Sequence, residues 1–385
     1  MPGQRRQRAD VIVAGLGAMG SCALAELARR GVRAIGIDRH SPPHDLGSSH
    51  GGSRVIRMSY FEHPDYVPLL RRAYEGFDRL SAEVGVRLRH ETGLVVGGAP
   101  GNPTTAGMLE SARVHGLAVE AFDGAELVRR HPALDLPPDW EVAYEPTGGF
   151  VRPEATIRAA LEVARAGGAG IVVDEPILRW EARQGAVAVD TSAGRFEAAS
   201  LVLACGAWMP GVVGASVPDL TPTRETILWL SDEGRPEWRD PGLPVWLFDR
   251  GAAPAVYGVP AFEGMGTPRG MKVGLHGRGP RATPDSIRQP IDPGIVAETV
   301  QATSERLRGA DRATLAGARH CLYTMSRDAH FVIDRHPDHA NVAIACGFSG
   351  HGFKFAPVVG EALADLALAG STSLPVGFLS VRRFR

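Results

Sequence analysis

DVIVAGLGAMGSCALAELARRGVRAIGID, residues 10–38, is the stretch on which the fold turns. Residues 10–15 form a short apolar run suited to a strand buried in a parallel sheet. Gly15, Gly17 and Gly20, with Ala18 and Met19 between the last two, spell G-x-G-x-x-G. Helix-forming residues follow from Ser21 to Arg30, Gly31 stops them, and Val32–Ile37 returns as a second strand closing on Asp38. Strand, glycine turn, helix, strand and terminal acid within about thirty residues is the context that makes the glycine pattern a dinucleotide fingerprint. The glycines permit a tight turn and close backbone approach, and the helix N-terminus faces the pyrophosphate. Asp38 is expected to accept hydrogen bonds from the adenosine ribose.

The rest of the chain sets bounds on what surrounds this unit. A length of 385 residues predicts two to three domains. Hydrophobic residues at 44% and charged residues at 22% are those of an ordinary globular protein. With 42 basic and 43 acidic residues the net charge is −1, which gives no electrostatic reason for a nucleic-acid or anionic-membrane partner. No apolar run approaches the length of a membrane span. The basic start (Arg5, Arg6, Arg8) precedes a strand rather than a signal-peptide core. The close, Arg-Phe-Arg, differs from the Ser-Lys-Leu peroxisomal address. Cys22, Cys205, Cys321 and Cys346 stand far apart, so neither a disulfide framework nor a metal site is expected, and the expectation is a reduced, cytoplasmic protein.

Beyond the fingerprint, helices are predicted over Tyr66–Val84, Thr105–His115, Gly124–Arg130, Pro153–Ala166, Pro293–Leu307 and Pro357–Leu368. Between Thr221 and Gly277 the pattern changes to short apolar runs split by Pro, Gly and acidic turns, as in a mostly antiparallel sheet. The predicted class is therefore α/β (α+β): a Rossmann-like nucleotide-binding domain and a second domain built on a mostly antiparallel sheet covered by helices. Near the C-terminus, CGFSGHGFKF (Cys346–Phe355) packs Gly347, Gly350, His351, Gly352, Phe353 and Lys354 between a strand and a helix, a density that suits backbone pressed against a planar ligand. Only two of the 42 basic residues are lysines, Lys272 and Lys354. A lysine kept in so arginine-rich a chain marks a position where a compact ammonium on a flexible stem is needed.

GSSHGGSRVIR (Gly47–Arg57), LVLACGAW (Leu201–Trp208), CLYTMSRDAHFVIDRHP (Cys321–Pro337) and CGFSGHGFKF, joined to the fingerprint, resemble the monomeric sarcosine oxidase and N-methyltryptophan oxidase family over nearly the whole chain. The resemblance implies a monomeric two-domain flavoenzyme that oxidises N-methyl or cyclic amino acids with dioxygen, yielding an imine and hydrogen peroxide. Its FAD-binding domain would comprise 1–85, 148–215 and 310–385, and its substrate domain 86–147 and 216–309. Flavin adenine dinucleotide (FAD) would be joined through its 8α carbon to the sulfur of Cys321. Arg57 and Lys354 match the pair that holds the substrate carboxylate, where charge-assisted bonds orient it. Lys272, in GMKVGLHG, matches the lysine that promotes reaction with oxygen, and Arg54 an arginine near it. His50 matches a histidine beside the flavin, His276 an active-site histidine, Tyr257 and Tyr323 substrate-side tyrosines. His351 reads mainly as structure of the flavin loop.

The chain departs from the family pattern in three places, of which the poorly matched stretch Pro244–Arg250 is one. Ser49-His50 stands where paired histidines are frequent, and the Tyr257–Lys272 segment is longer by GMGTPRG (Gly264–Gly270). Three other readings compete: a flavin dehydrogenase with a non-oxygen acceptor, an NAD-dependent dehydrogenase, and a non-catalytic nucleotide-binding protein. The NAD reading leaves Cys321 and the C-terminal glycine turn without a role.

Overall fold

In the computed structural model, which describes residues 5–266 and 268–384, the opening apolar run is the strand Val11–Ala14, buried along its whole length. Its side chains alternate between two cores, as the pleat requires. Val11 and Val13 face the helices Ala18–Arg29, Pro153–Ala166 and Ala356–Ala369. Ile12 and Ala14 face Val187, Val189 and Phe196 of a four-stranded sheet on the other side. Each fully buried Val or Ile contributes about 1.5–3 kcal/mol by leaving water, so both faces of this strand have to be apolar.

The six-stranded sheet built around it runs Gly170–Val172, Ala34–Ile37, Val11–Ala14, Ser200–Leu203, His339–Cys346, Val332–His336. Its first five strands are parallel and the last is antiparallel. The fingerprint helix begins at Ala18, three residues before the stretch read as helical, because Gly17 already serves as its N-cap. Helices on this face touch through missing side chains. A Cβ on Gly360 would lie 2.6 Å from the Cys22 carbonyl carbon.

The second sheet has eight strands in the order Leu315–Met325, Thr221–Leu230, Met271–Leu275, Ala253–Val259, Val245–Arg250, Leu94–Gly98, Glu141–Glu145, Glu120–Asp123. It is antiparallel except where Val245–Arg250 meets Leu94–Gly98, as the alternating short runs predicted. The helix Pro293–Ser304 closes one face over Leu228, Val273 and Trp246. A three-stranded sheet, Arg54–Ile56, Gly149–Val151 and Arg89–Glu91, carries the segment between Gly47 and Arg57. Among the described residues no helix is long and apolar enough to cross a membrane.

Leu315–Met325 lies beyond residue 310, yet it pairs along its length with Thr221–Leu230 in the eight-stranded sheet. The apolar pattern of a strand states that it is buried and says nothing about which neighbour it joins, so its assignment to the nucleotide-binding segment could not be read locally. Thr267, inside the Gly264–Gly270 segment, and the closing Arg385 lie outside the described residues.

Candidate active site

A cleft of about 360 Å³ opens at the carboxyl ends of the parallel strands, where Gly15, Asp38, Ala204–Gly206 and Ala345–Gly347 line it. That edge is the usual ligand side of an open α/β sheet. Gly15 has φ +87°, and a Cβ there would lie 2.6 Å from the Ala204 carbonyl oxygen. Gly20 stands beneath the turn, where a Cβ would overlap the Gly15 carbonyl, so its part is helix–strand approach rather than wall. Gly17, Ala18 and Met19 line the cleft at a helix start that no side chain caps. Its first amides are therefore available to an anion. The Asp38 carboxylate accepts the amides of Leu16 at 2.6 Å and His40 at 2.8 Å. Each carboxylate oxygen keeps a second lone pair for a hydroxyl.

Register brings the predicted site residues of the second sheet to one face. Directly opposed residues of antiparallel strands share a face, and alternate residues along a strand do too. Cys321 opposes Glu225, Tyr323 opposes Thr223, Lys272 opposes Trp229, and Tyr257 opposes Gly274. All four side chains therefore point the same way. Tyr323 reaches the cleft wall beside Arg54, Gly347, Gly350, Gly352 and Phe353. The Cys321 thiol lies 3.3 Å from Arg54 Nη2, whose guanidinium also donates to the carbonyls of Ser48 and Ser53. Lys272, 2% exposed, donates to the carbonyls of Ser53 at 2.5 Å and Gly51 at 3.2 Å. Burial pushes its ammonium well below the usual lysine range, and Arg54 adds repulsion. Cys205 and Cys346 also line the cleft, and burial pushes both thiols up to about 12.

Of the two residues expected to hold a carboxylate, Arg57 already holds one. Arg57 Nη2 donates to both oxygens of Glu62, at 2.6 and 2.7 Å, and its guanidinium lies over the rings of Phe61 and Tyr60. Glu62 was not singled out in the sequence. A buried guanidinium needs a counter-charge, and the loop five residues on supplies it. Burial works against the Glu62 charge, but Arg57, His351 and Lys354 together hold it down at about 2. Lys354 is 5% exposed and donates to the His351 carbonyl at 2.7 Å. Burial, with Arg57 adding, brings its ammonium down to about 7 against the pull of Glu62. His351 does not contribute a ring to the cleft wall. Its Nδ1 meets the Tyr60 hydroxyl, its Nε2 lies 2.9 Å from the Ala329 carbonyl, and burial brings it down to about 3, so it is neutral. His276 follows the strand Met271–Leu275, with Nδ1 3.3 Å from the Tyr323 hydroxyl; burial lowers its basicity too. The sequence stretch RMSYFEHPDY carries the signal that could have found Glu62: an acid, the nearer of two, five residues from a conspicuous arginine.

Several buried polar atoms among the described residues have no partner, those of His50 and Trp208 among them. His50 is 2% exposed with neither ring nitrogen hydrogen-bonded, and the Trp208 indole N–H, at the cleft, has no acceptor. Buried donors and acceptors without partners are costly, so they point to a polar ligand. The model of the family described as "FAD dependent oxidoreductase" matches residues 10–366. The chain belongs to that family. FAD-dependent oxidoreductases carry a dinucleotide, and the uncapped helix start, the glycine turn, Asp38 and the open His50 and Trp208 nitrogens all fit one here. Among relatives, the monomeric sarcosine oxidase of Streptomyces avermitilis is 40% identical over 379 residues, covering 97% of each chain. An N-methyl-L-tryptophan oxidase of Salmonella heidelberg is 32% identical over 380 residues, covering 97% of this chain and 99% of its own. The fold is also that of NikD, described as an unusual amino acid oxidase essential for nikkomycin biosynthesis, with TM-score 0.84 at 21% identity and 97% of both chains covered. L-Proline dehydrogenase from P. horikoshii shares it as well, with TM-score 0.85 at 22% identity, covering 99% of this chain and 98% of that one.

Proposed function

We propose that this FAD-dependent oxidoreductase is an oxidase of secondary amino acids, N-methylated or cyclic, that uses dioxygen as acceptor. The observation that carries the reading is the pair of buried cations, Arg57 and Lys354, gathered around one carboxylate beside the His276–Tyr323 pair. The likeness to a sarcosine oxidase at 40% identity and an N-methyltryptophan oxidase at 32% supports the same substrate class. Sarcosine, N-methyltryptophan and a cyclic imino acid such as pipecolate are its candidates.

When bound, FAD would supply the redox chemistry, a two-electron oxidation of the amine to an imine that water hydrolyses and a two-electron reduction of dioxygen to hydrogen peroxide. The protein's part is position and charge. The substrate carboxylate takes the place of Glu62 between Arg57 and Lys354, which fixes the reacting C–H bond through two charge-assisted contacts. The same burial and paired cations that disfavour the Lys354 ammonium disfavour a substrate ammonium, and so supply the amine in its neutral, oxidisable form. Neutral His276 and Tyr323 flank it as hydrogen-bonding groups. Lys272 with Arg54 offers fixed positive charge where oxygen gains electrons. Cys321 is the residue whose sulfur would hold the flavin, His50 would hydrogen-bond beside it, and Tyr257 would stand on the substrate side. In this reading the protein works as a cytoplasmic monomer.

The test is anaerobic addition of N-methyl and cyclic amino acids to the holoenzyme. Loss of flavin absorbance, and one peroxide per substrate in air, are expected. Bleaching without peroxide formation would favour a dehydrogenase, and no bleaching with any secondary amino acid would refute the substrate class.

A further inference from the structure

Glu154 occupies the second position of the helix Pro153–Ala166, and nothing above gives it a task. Its carboxylate reaches the turn Gly51–Gly52, where Oε1 accepts the Gly51 amide at 2.7 Å and the Gly52 amide at 3.1 Å, and Oε2 lies 3.2 Å from the Gly52 nitrogen. Both glycines are left-handed, φ +91° and +78°, and a Cβ on Gly51 would lie 2.7 Å from the Ile227 side chain. The turn is thus one that only glycine can make, and an external acceptor is needed to hold its amides. Its other side meets Lys272: the Gly51 carbonyl accepts from Nζ at 3.2 Å, and the Ser53 carbonyl does so at 2.5 Å. One peptide group is therefore gripped at its N–H by an acid and at its oxygen by an ammonium.

The charges around this arrangement are few. Lys272 faces Arg54 from the strand Arg54–Ile56, Cys321 from Leu315–Met325 and Glu154 from the helix, with His50 kept neutral by burial. A Cys321 sulfur bonded to carbon carries no charge, which leaves Glu154 as the acid that offsets Arg54. On its far side Glu154 shares a cavity of about 220 Å³ with Arg152, Arg158 and Arg319.

We infer that Glu154 is the positioning residue of the oxygen side: through the Gly51–Gly52 peptide it fixes where Lys272 Nζ stands, and it supplies the negative charge that faces Lys272 and Arg54 there. The inference rests on the reading of Lys272 as the group that faces dioxygen. Glu154→Gln separates the two effects, since its amide oxygen can still accept both glycine amides while the charge is gone. Glu154→Ala removes both.

The composition provides a direct readout. Protein labelled with carbon-13 at lysine Cε gives two signals, from Lys272 and Lys354, told apart by Lys354→Arg. In Glu154→Gln the titration midpoint of Lys272 is expected to fall by roughly one pH unit, a tenfold change, while that of Lys354 stays in place. Stopped-flow reaction of the reduced holoenzyme with oxygen should slow about tenfold at a pH between the two midpoints. Anaerobic reduction by substrate should stay within about twofold. An unmoved Lys272 midpoint in Glu154→Gln, or equal slowing of both half-reactions, would overturn the inference. Lys272→Met is the control on its premise. If that variant reacts with oxygen at the normal rate, the role of Lys272 is wrong; if it is slow while the Glu154 variants are not, only the role of Glu154 is wrong.

Discussion

Glu62→Gln tests the carboxylate grip from inside the protein. The wild-type carboxylate makes a two-pronged contact with Arg57 at 2.6 and 2.7 Å and is held down at about 2. Against an ordinary glutamate, that depression corresponds to roughly 3 kcal/mol in favour of the charged form. An incoming carboxylate has to match this before it gains anything. The glutamine amide keeps a neutral hydrogen-bonding presence worth about 1 kcal/mol, so its removal from competition leaves a net advantage of roughly 1–2 kcal/mol. Carboxylates should therefore bind the variant about 5- to 30-fold more tightly. Stability should move the other way. A carboxylate whose folded pKa is depressed contributes stability above its ordinary pKa, and the contribution fades as pH falls from about 4.5 to about 2. The variant should melt lower at pH 7, with the gap to wild type closing through that acid window. Acetate titration of the holoenzyme, read by the perturbed flavin spectrum, measures the affinity, and calorimetric melts measure the rest. An acetate Kd that is unchanged or weaker in Glu62→Gln would refute the displacement argument.

Other consequences can be checked separately. Acetate binding should weaken as pH rises through about 7, where Lys354 loses its proton, and Lys354→Met should flatten that profile; titrations from pH 6 to 9 decide it. Glu62 and His351 titrate far below this range and cannot mimic the effect. Cys321→Ser should leave the flavin free in the supernatant after acid precipitation, whereas wild-type protein should carry its colour into the pellet. Gly20→Ala drives a methyl group into the Gly15 carbonyl and should cost about 1–3 kcal/mol or more with loss of bound FAD, read by melting and by flavin content after gel filtration.

The nucleotide-binding half was legible because its signals are local. Gly15, Gly17, Gly20 and Asp38 lie within one unit, and Gly15 and Gly20 are each required by a backbone approach that the structure makes explicit. The antiparallel character of the second sheet was legible too, from alternating runs between turns. Partner choice was not. Leu315–Met325 joins Thr221–Leu230 across almost a hundred residues, and no local pattern encodes that pairing. The candidate site was reached through motifs, and the misses follow from that. Glu62 and Glu154 lie in unremarked stretches, and their importance comes from where a loop and a helix start fold back, onto Arg57 and onto Gly51–Gly52. His351 stood in a conspicuous motif, yet its ring is taken up by Tyr60 and Ala329.

The most direct measurement is a crystal structure of the FAD-loaded enzyme with acetate. The account predicts acetate within hydrogen-bonding distance of both Arg57 and Lys354, Glu62 turned away, and Lys272 against the opposite face of the flavin. Acetate bound elsewhere with the Arg57–Glu62 pair intact, or Lys272 on the same side as the carboxylate, would contradict it.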